Sequence, residues 1–244
     1  MRPPGKGPLM IFRQLFEPVS STYTYLIACD ETREAVLIDP VLEAVDRDLA
    51  LIDELGLTLK YTVETHIHAD HVTGAARLRE RTGCKAAVPE KSAAAHVDLP
   101  VREGQLITVG TLMLEPLDTP GHTDDHHSYL LRSSDGWRVF TGDALMIDGC
   151  GRTDFQNGDA ATLYRSVHEK IFSLPGDTLV YPGHDYQQRF VSSVGQERAR
   201  NPRLGGGRTV DEFVAIMAGL NLPRPKKMDV AVPANRECGE IQIA

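Results

Sequence analysis

A short apolar run at residues 59–65 leads straight into Thr65-His66-Ile67-His68-Ala69-Asp70-His71, and this junction constrains the fold more than any other stretch. Four possible ligands, His66, His68, Asp70 and His71, fall within six residues. A strand that ends in a loop can aim several side chains at one point. Imidazole nitrogens and carboxylate oxygens suit Zn, Fe or Mn. A lone histidine here would be surface decoration; three histidines and an aspartate at this spacing point to a metal.

Three later segments repeat the arrangement. Thr119-Pro120-Gly121-His122-Thr123 follows an apolar strand, Thr141-Gly142-Asp143-Ala144 follows another, and Tyr181-Pro182-Gly183-His184-Asp185 a third. Each sets a possible ligand just past a strand, often beside a glycine that lets backbone approach closely. Loops at a sheet edge on a rigid frame are a common site architecture. Singly, His122 or His184 would be a structural or surface histidine; together the four strand ends predict one metal site.

The remaining pattern says what carries those ends. Strands are expected at 23–29, 34–39, 105–109, 111–117, 128–131, 137–141 and 178–181. Val45, Leu49, Ile52 and Leu55 have helical spacing, and Gly56 ends that helix. Further helices are expected at 71–82, 160–172, 196–200 and 211–220, followed by Pro-rich polar chain. Helices on both sides of a β-rich middle suggest an α/β fold of the αββα sandwich kind.

Composition narrows the function classes. The 244 residues suit one substantial domain, and 41% hydrophobic with 25% charged residues is ordinary for a globular chain. A net charge of -8 gives no basic footprint for nucleic acid. Cys29, Cys84, Cys150 and Cys238 form no CxxC pair, so a reducing compartment fits better than a disulfide scaffold. No apolar run has the length of a membrane span, and no membrane partner is expected. Residues 1–9 lack the apolar stretch of a secretory signal and read as a disordered lead-in. The domain proper is expected at 10–194, with 195–244 as a helical and irregular extension packed on it.

The histidine loop, the later Pro-Gly-His, the Gly-Asp pair and the Pro-Gly-His-Asp segment resemble the metallo-β-lactamase superfamily in order and spacing, over roughly residues 10–190. The resemblance implies the metallo-β-lactamase type of αββα sandwich with its site at the sandwich edge. In two-metal members, the matches to His66, His68 and His122 bind one metal. The matches to Asp70, His71 and His184 bind the other, and the match to Asp143 bridges. Such a site would suit a binuclear zinc hydrolase making a metal-bound hydroxide, the thioester hydrolase glyoxalase II being the natural candidate.

A narrower resemblance points elsewhere. Gly149-Cys150-Gly151-Arg152-Thr153-Asp154-Phe155-Gln156, the tail strings Asn201-Pro202-Arg203-Leu204 and Leu222-Pro223, and Ala231-Val232-Pro233-Ala234-Asn235 are similar to the persulfide dioxygenases. That family implies oxidation of glutathione persulfide by O2 and water to sulfite and glutathione at one Fe(II) per chain. It implies His66, His122 and Asp143 as the iron ligands and catalytic set, a facial triad. His68, Asp70, His71 and His184 then become supporting groups, or else a second metal position. Glutathione brings two carboxylates, so Arg152 is the expected anchor, with Tyr186 and Arg224 as further contacts; an ion pair with Asp154 is the plainer role for Arg152. The family tends toward homodimers; the short N-terminus fits a bacterial cytoplasm, with the mitochondrial matrix as the expectation for a eukaryote. Cys150 reads as a small buried residue, and Trp137 as core. His96 and His168 are taken as ordinary helix residues. His126 and His127 are expected on alternate faces of a strand, one exposed and one near the site.

Overall fold

The computed structural model describes residues 10–240, so the 1–9 lead-in and the last residues, 241–244, lie outside it. Two six-stranded sheets face each other. The first contains β1 (Met10–Glu17), β2 (Thr22–Cys29), β3 (Glu34–Ile38), β4 (Thr58–Val63), β5 (Lys85–Pro89) and β6 (Leu99–Val101), side by side in chain order. The second contains β7 (Ile107–Val109), β8 (Leu112–Asp118), β9 (His127–Ser133), β10 (Gly136–Gly142), β11 (Leu179–Pro182) and β12 (Ser192–Ser193), again in order. In the first sheet β1, β2 and β3 pair antiparallel while β3 to β6 run parallel; the second sheet is antiparallel except where β10 pairs with β11.

Period-two alternation places the core. Tyr25 and Ile27 of β2, with Val36 and Ile38 of β3, face Leu114, Tyr129, Leu131 and Phe140 of the second sheet. Their neighbours Leu26, Ala28, Ala35 and Leu37 point outward. They are covered by Val45, Leu49 and Ile52 of α1 (Val45–Glu54) and Leu78 of α2 (Ala75–Thr82). On the far side Leu130, Val139 and Val180 pack under Leu163 of α3 (Ala160–Ser166). The layers are therefore the expected αββα.

The C-terminal segment joins the second outer layer. After α4 (Val194–Arg200), Phe213 and Met217 of α5 (Val210–Ala218) lie in the same buried cluster as Leu163 and Val139. A capping box between Thr209 and Glu212 starts α5. The stretch expected as Pro-rich chain contains a further helix, α6 (Met228–Arg236), with Pro233 inside it. β1, β5, β6 and β12 are also additional to the expected strands. The helix expected at 71–82 begins only at Ala75, because residues 71–74 belong to the metal loop and bond elsewhere, Gly74 N–H to the Pro40 carbonyl. No helix among the described residues is long and apolar enough to cross a membrane.

Phe213 is fully buried, so Phe213→Ala is expected to lower the unfolding free energy by about 3–5 kcal/mol. Urea unfolding followed by Trp137 fluorescence and by circular dichroism should still give one shared transition. Two separate transitions would mean that the extension is an independent unit.

Candidate metal centre

The ends of β4, β8, β10 and β11 and the start of β2 meet at one edge of the sandwich. Backbone bonds tie the two sheets there, Tyr23 N–H donating to the Gly183 carbonyl and His127 N–H to that of Thr65, while Gly183 N–H to the Gly142 carbonyl extends the β10–β11 pairing. Side chains could not be packed this tightly without glycine. A Cβ on Gly142, at φ +46°, would lie 2.6 Å from His126 Nε2, and one on Gly183 would lie 2.9 Å from Asp143 Oδ1.

The edge brings His66, His122 and Asp143 together, with a ligand atom from each within 4.8 Å of the others. Their remote atoms are already used. His122 Nδ1–H donates to the Arg152 carbonyl at 2.6 Å, which leaves Nε2 as the lone-pair nitrogen. Thr65 Oγ1 donates to Asp39 Oδ2 at 2.9 Å, so at 2.9 Å it accepts from His66 Nδ1–H. Burial, with His68, His122 and His126 nearby, pushes the His66 imidazole well below its usual range and keeps it neutral. Two imidazoles whose Nδ1 atoms are already bonded, and a carboxylate, fit a divalent metal.

Asp143 is held from behind. Burial alone would raise its carboxyl, but the neighbouring His184 imidazole holds it at about 2. His184 Nδ1–H donates to Asp143 Oδ1 at 2.6 Å, while Nε2–H donates to Asp70 Oδ2 at 2.9 Å. A ring that donates through both nitrogens carries a positive charge and has no lone pair left. Asp70 Oδ2 also accepts from His71 Nδ1 at 2.9 Å. Thr22 Oγ1 lies 3.1 Å from His184 Nε2, 3.2 Å from Asp70 Oδ2 and 3.4 Å from His71 Nδ1. His68, Asp70 and His71 do gather as a second group of possible ligands. Asp70, however, is bonded to both imidazoles around it.

Behind the loop, His68 meets two buried carboxyls, Asp39 and Glu64, that lie outside every motif. His68 Nε2 lies 3.1 Å from Asp39 Oδ1 and 3.6 Å from Glu64 Oε2. Burial would lower the His68 imidazole, but Asp39 pushes it up to about 9. Burial and Asp39 push the Glu64 carboxyl up to about 8. Thr22, Asp39 and Glu64 had no motif signal, since each meets the loop from a distant or unremarkable position.

Both His126 and His127 are buried, which corrects the expectation that one is exposed. His126 Nε2 accepts from the Asp143 N–H at 3.1 Å, and its ring stacks on His66 at 5.0 Å. His127 Nδ1 donates to the Asp125 carbonyl. The expected glutathione contacts border the same edge. Arg152 forks onto Asp154 at 2.6 and 2.7 Å and donates to the Pro223 carbonyl at 2.7 Å, so its plainer role is formed and its fork is not open. Arg224, next to Pro223, pairs with Asp229. Tyr186 is 75% exposed and lies parallel to the His184 ring at 6.3 Å. Cys150 is buried as expected, whereas Trp137 is only partly buried at the edge of the outer cluster.

Thr65→Val would leave His66 Nδ1–H without its acceptor at unchanged volume. The variant is expected to fold and to bind its metal about 10–100-fold more weakly in chelator competition. Wild-type affinity would remove Thr65 from the support of His66.

Comparison with known proteins gives this geometry a family. Residues 18–184 match the model of the metallo-beta-lactamase superfamily. The chain is 54% identical to the human mitochondrial persulfide dioxygenase ETHE1 over 236 residues, covering 96% of this chain and 91% of that protein. The crystal structure of ETHE1 from Myxococcus xanthus superposes with a TM-score of 0.90 at 56% identity, covering 94% of this chain and 100% of that one. A hydroxyacylglutathione hydrolase of Polaromonas is 42% identical, but over only 67% of this chain and 62% of its own length. With the αββα frame and the clustered histidines, these likenesses establish that the chain belongs to the metallo-beta-lactamase superfamily and, within it, to the persulfide dioxygenase family.

Proposed function

We propose that this chain is an iron-dependent persulfide dioxygenase that converts glutathione persulfide, O2 and water to sulfite and glutathione. The observation that carries the reading is the identity of 54% across nearly the whole chain, tail included. In this reading one Fe(II) is held by His66, His122 and Asp143, a two-histidine, one-carboxylate set that leaves positions for substrate and O2. Iron, when bound, supplies the redox chemistry at sulfur that zinc lacks.

The chain's own residues prepare that position. His126 fixes the backbone of Asp143, and His184 holds its proton at Nδ1 against Asp143 Oδ1. Asp70 receives the other His184 proton. In this reading Tyr186, exposed beside the His184 ring, and Arg224 contact glutathione. Arg152 serves there when a substrate carboxylate takes over the fork that Asp154 fills. A homodimer is part of the same reading.

Asp70, His71 and His184 are the donors a second metal would need, so a binuclear zinc thioester hydrolase is the competing reading. Their bonds to one another and to Thr22 speak against it.

Oxygen uptake with glutathione persulfide, read beside hydrolysis of S-lactoylglutathione, decides between them. The expected result is uptake with sulfite formation, no thioester loss and about one iron per chain. Thioester hydrolysis with two metals per chain would overturn the proposal. Arg152→Ala is expected to raise KM for glutathione persulfide about tenfold, the loss of one charged hydrogen-bonded contact. An unchanged KM would leave Arg152 as a tether of the 222–223 segment alone.

A further inference from the structure

We infer that Asn235, in the C-terminal helix α6, is a positioning residue of the metal centre, acting on Asp143 through the loop backbone, Asp70 and His184. The inference rests on the metal-centre reading above. Asn235 is 3% exposed. Its Nδ2 donates to the carbonyls of His68 and His71, each at 2.9 Å, and its Oδ1 accepts from Thr73 N–H at 2.8 Å. The three loop groups have no other partner among the described residues. Every amide donor is used, and buried groups of this kind cost about 1–3 kcal/mol each when left unmet.

The two clamped carbonyls flank Asp70, so its backbone cannot shift independently of α6. Asp70 Oδ2 accepts from His184 Nε2–H at 2.9 Å, and His184 Nδ1–H donates to Asp143 Oδ1 at 2.6 Å. The path from Asn235 to a metal ligand thus runs through hydrogen bonds and one short loop. Helix α6 is itself held firmly. The Arg236 carbonyl accepts from Ala95 N–H at 2.7 Å, Lys227 pairs with Glu43 at 2.8 Å, and Cys238 packs with Ile67, Ala75 and Val88. A Cβ on Gly239 would stand 2.6 Å from the Thr73 carbonyl, which shows how closely the tail backs the loop.

Asn235→Asp keeps the side chain's shape and its acceptor for Thr73 but sets a carboxylate oxygen against two carbonyls. Asn235→Ala removes the clamp without adding charge and serves where the aspartate variant does not fold. In folded protein, both are expected to release metal to a chelator about tenfold faster or more. The d–d bands of the cobalt-loaded form should shift, and kcat should fall with KM within about twofold. A lowered melting temperature with wild-type release rate and cobalt spectrum would overturn the inference and leave Asn235 as packing only. Wild type and His66→Ala binding cobalt alike would instead defeat the metal-centre reading, and the inference with it.

Discussion

The carboxylate of Asp39 is the point on which the metal loop depends. It ends β3 in a left-handed conformation, φ +50°, fully buried between the sheets. One oxygen accepts the Thr65 N–H at 2.7 Å and the other its hydroxyl at 2.9 Å. A strand end with unmet N–H groups would be costly this deep in a protein, so the aspartate both closes β4 and aims it. The same hydroxyl then accepts from His66, and the first oxygen faces His68. One anion therefore sets the backbone, one ligand's tautomer and a second histidine's charge.

That anion is part of a larger balance. Burying an isolated charge is costly unless it is paired, and this edge buries several. They alternate: Asp39 faces His68, and Asp70 and Asp143 share His184. Such a network is stable only while each member keeps its partner. This explains why Thr22, Asp39, His68, His71, His184 and Asn235 are buried and why they come from many elements: β2 gives Thr22, β3 is followed by Asp39, and α6 gives Asn235.

The parts of this that local chemistry dictates were legible in the sequence. The αββα layering followed from strand and helix patterns, and His66, His122 and Asp143 stood at strand ends that converge. What escaped were short or atypical strands and long-range partners. β5 and β6, five and three residues long, carry too little pattern to stand out. α6 was hidden by Pro233, which breaks the usual helix signal. Asp39, Thr22 and Asn235 meet the loop from across the fold, which one chain read in order has no way to display, and Glu64, beside the loop in sequence, shows its partners only once the chain is folded. Arg152 fell between: its neighbour Asp154 was visible as a partner, but the Pro223 carbonyl that completes its cage was not.

The distinction between one metal and two depends on those long-range partners more than on the ligands. His66, His68, Asp70, His71, His122, Asp143 and His184 are compatible with either count. A second cation beside Asp70 would have to compete with the positively charged His184 ring, which already bonds both carboxylates, and with the Thr22 hydroxyl beside it. A metal there would need the His184 Nε2 proton to leave and Asp70 to release the donors bonded to it. A proton in place of a metal is the less demanding way to neutralise buried carboxylates, because it needs no open coordination geometry. Thr22 and the twice-bonded His184 are what the single-metal reading proposed above rests on, even though the loop holds donors enough for two.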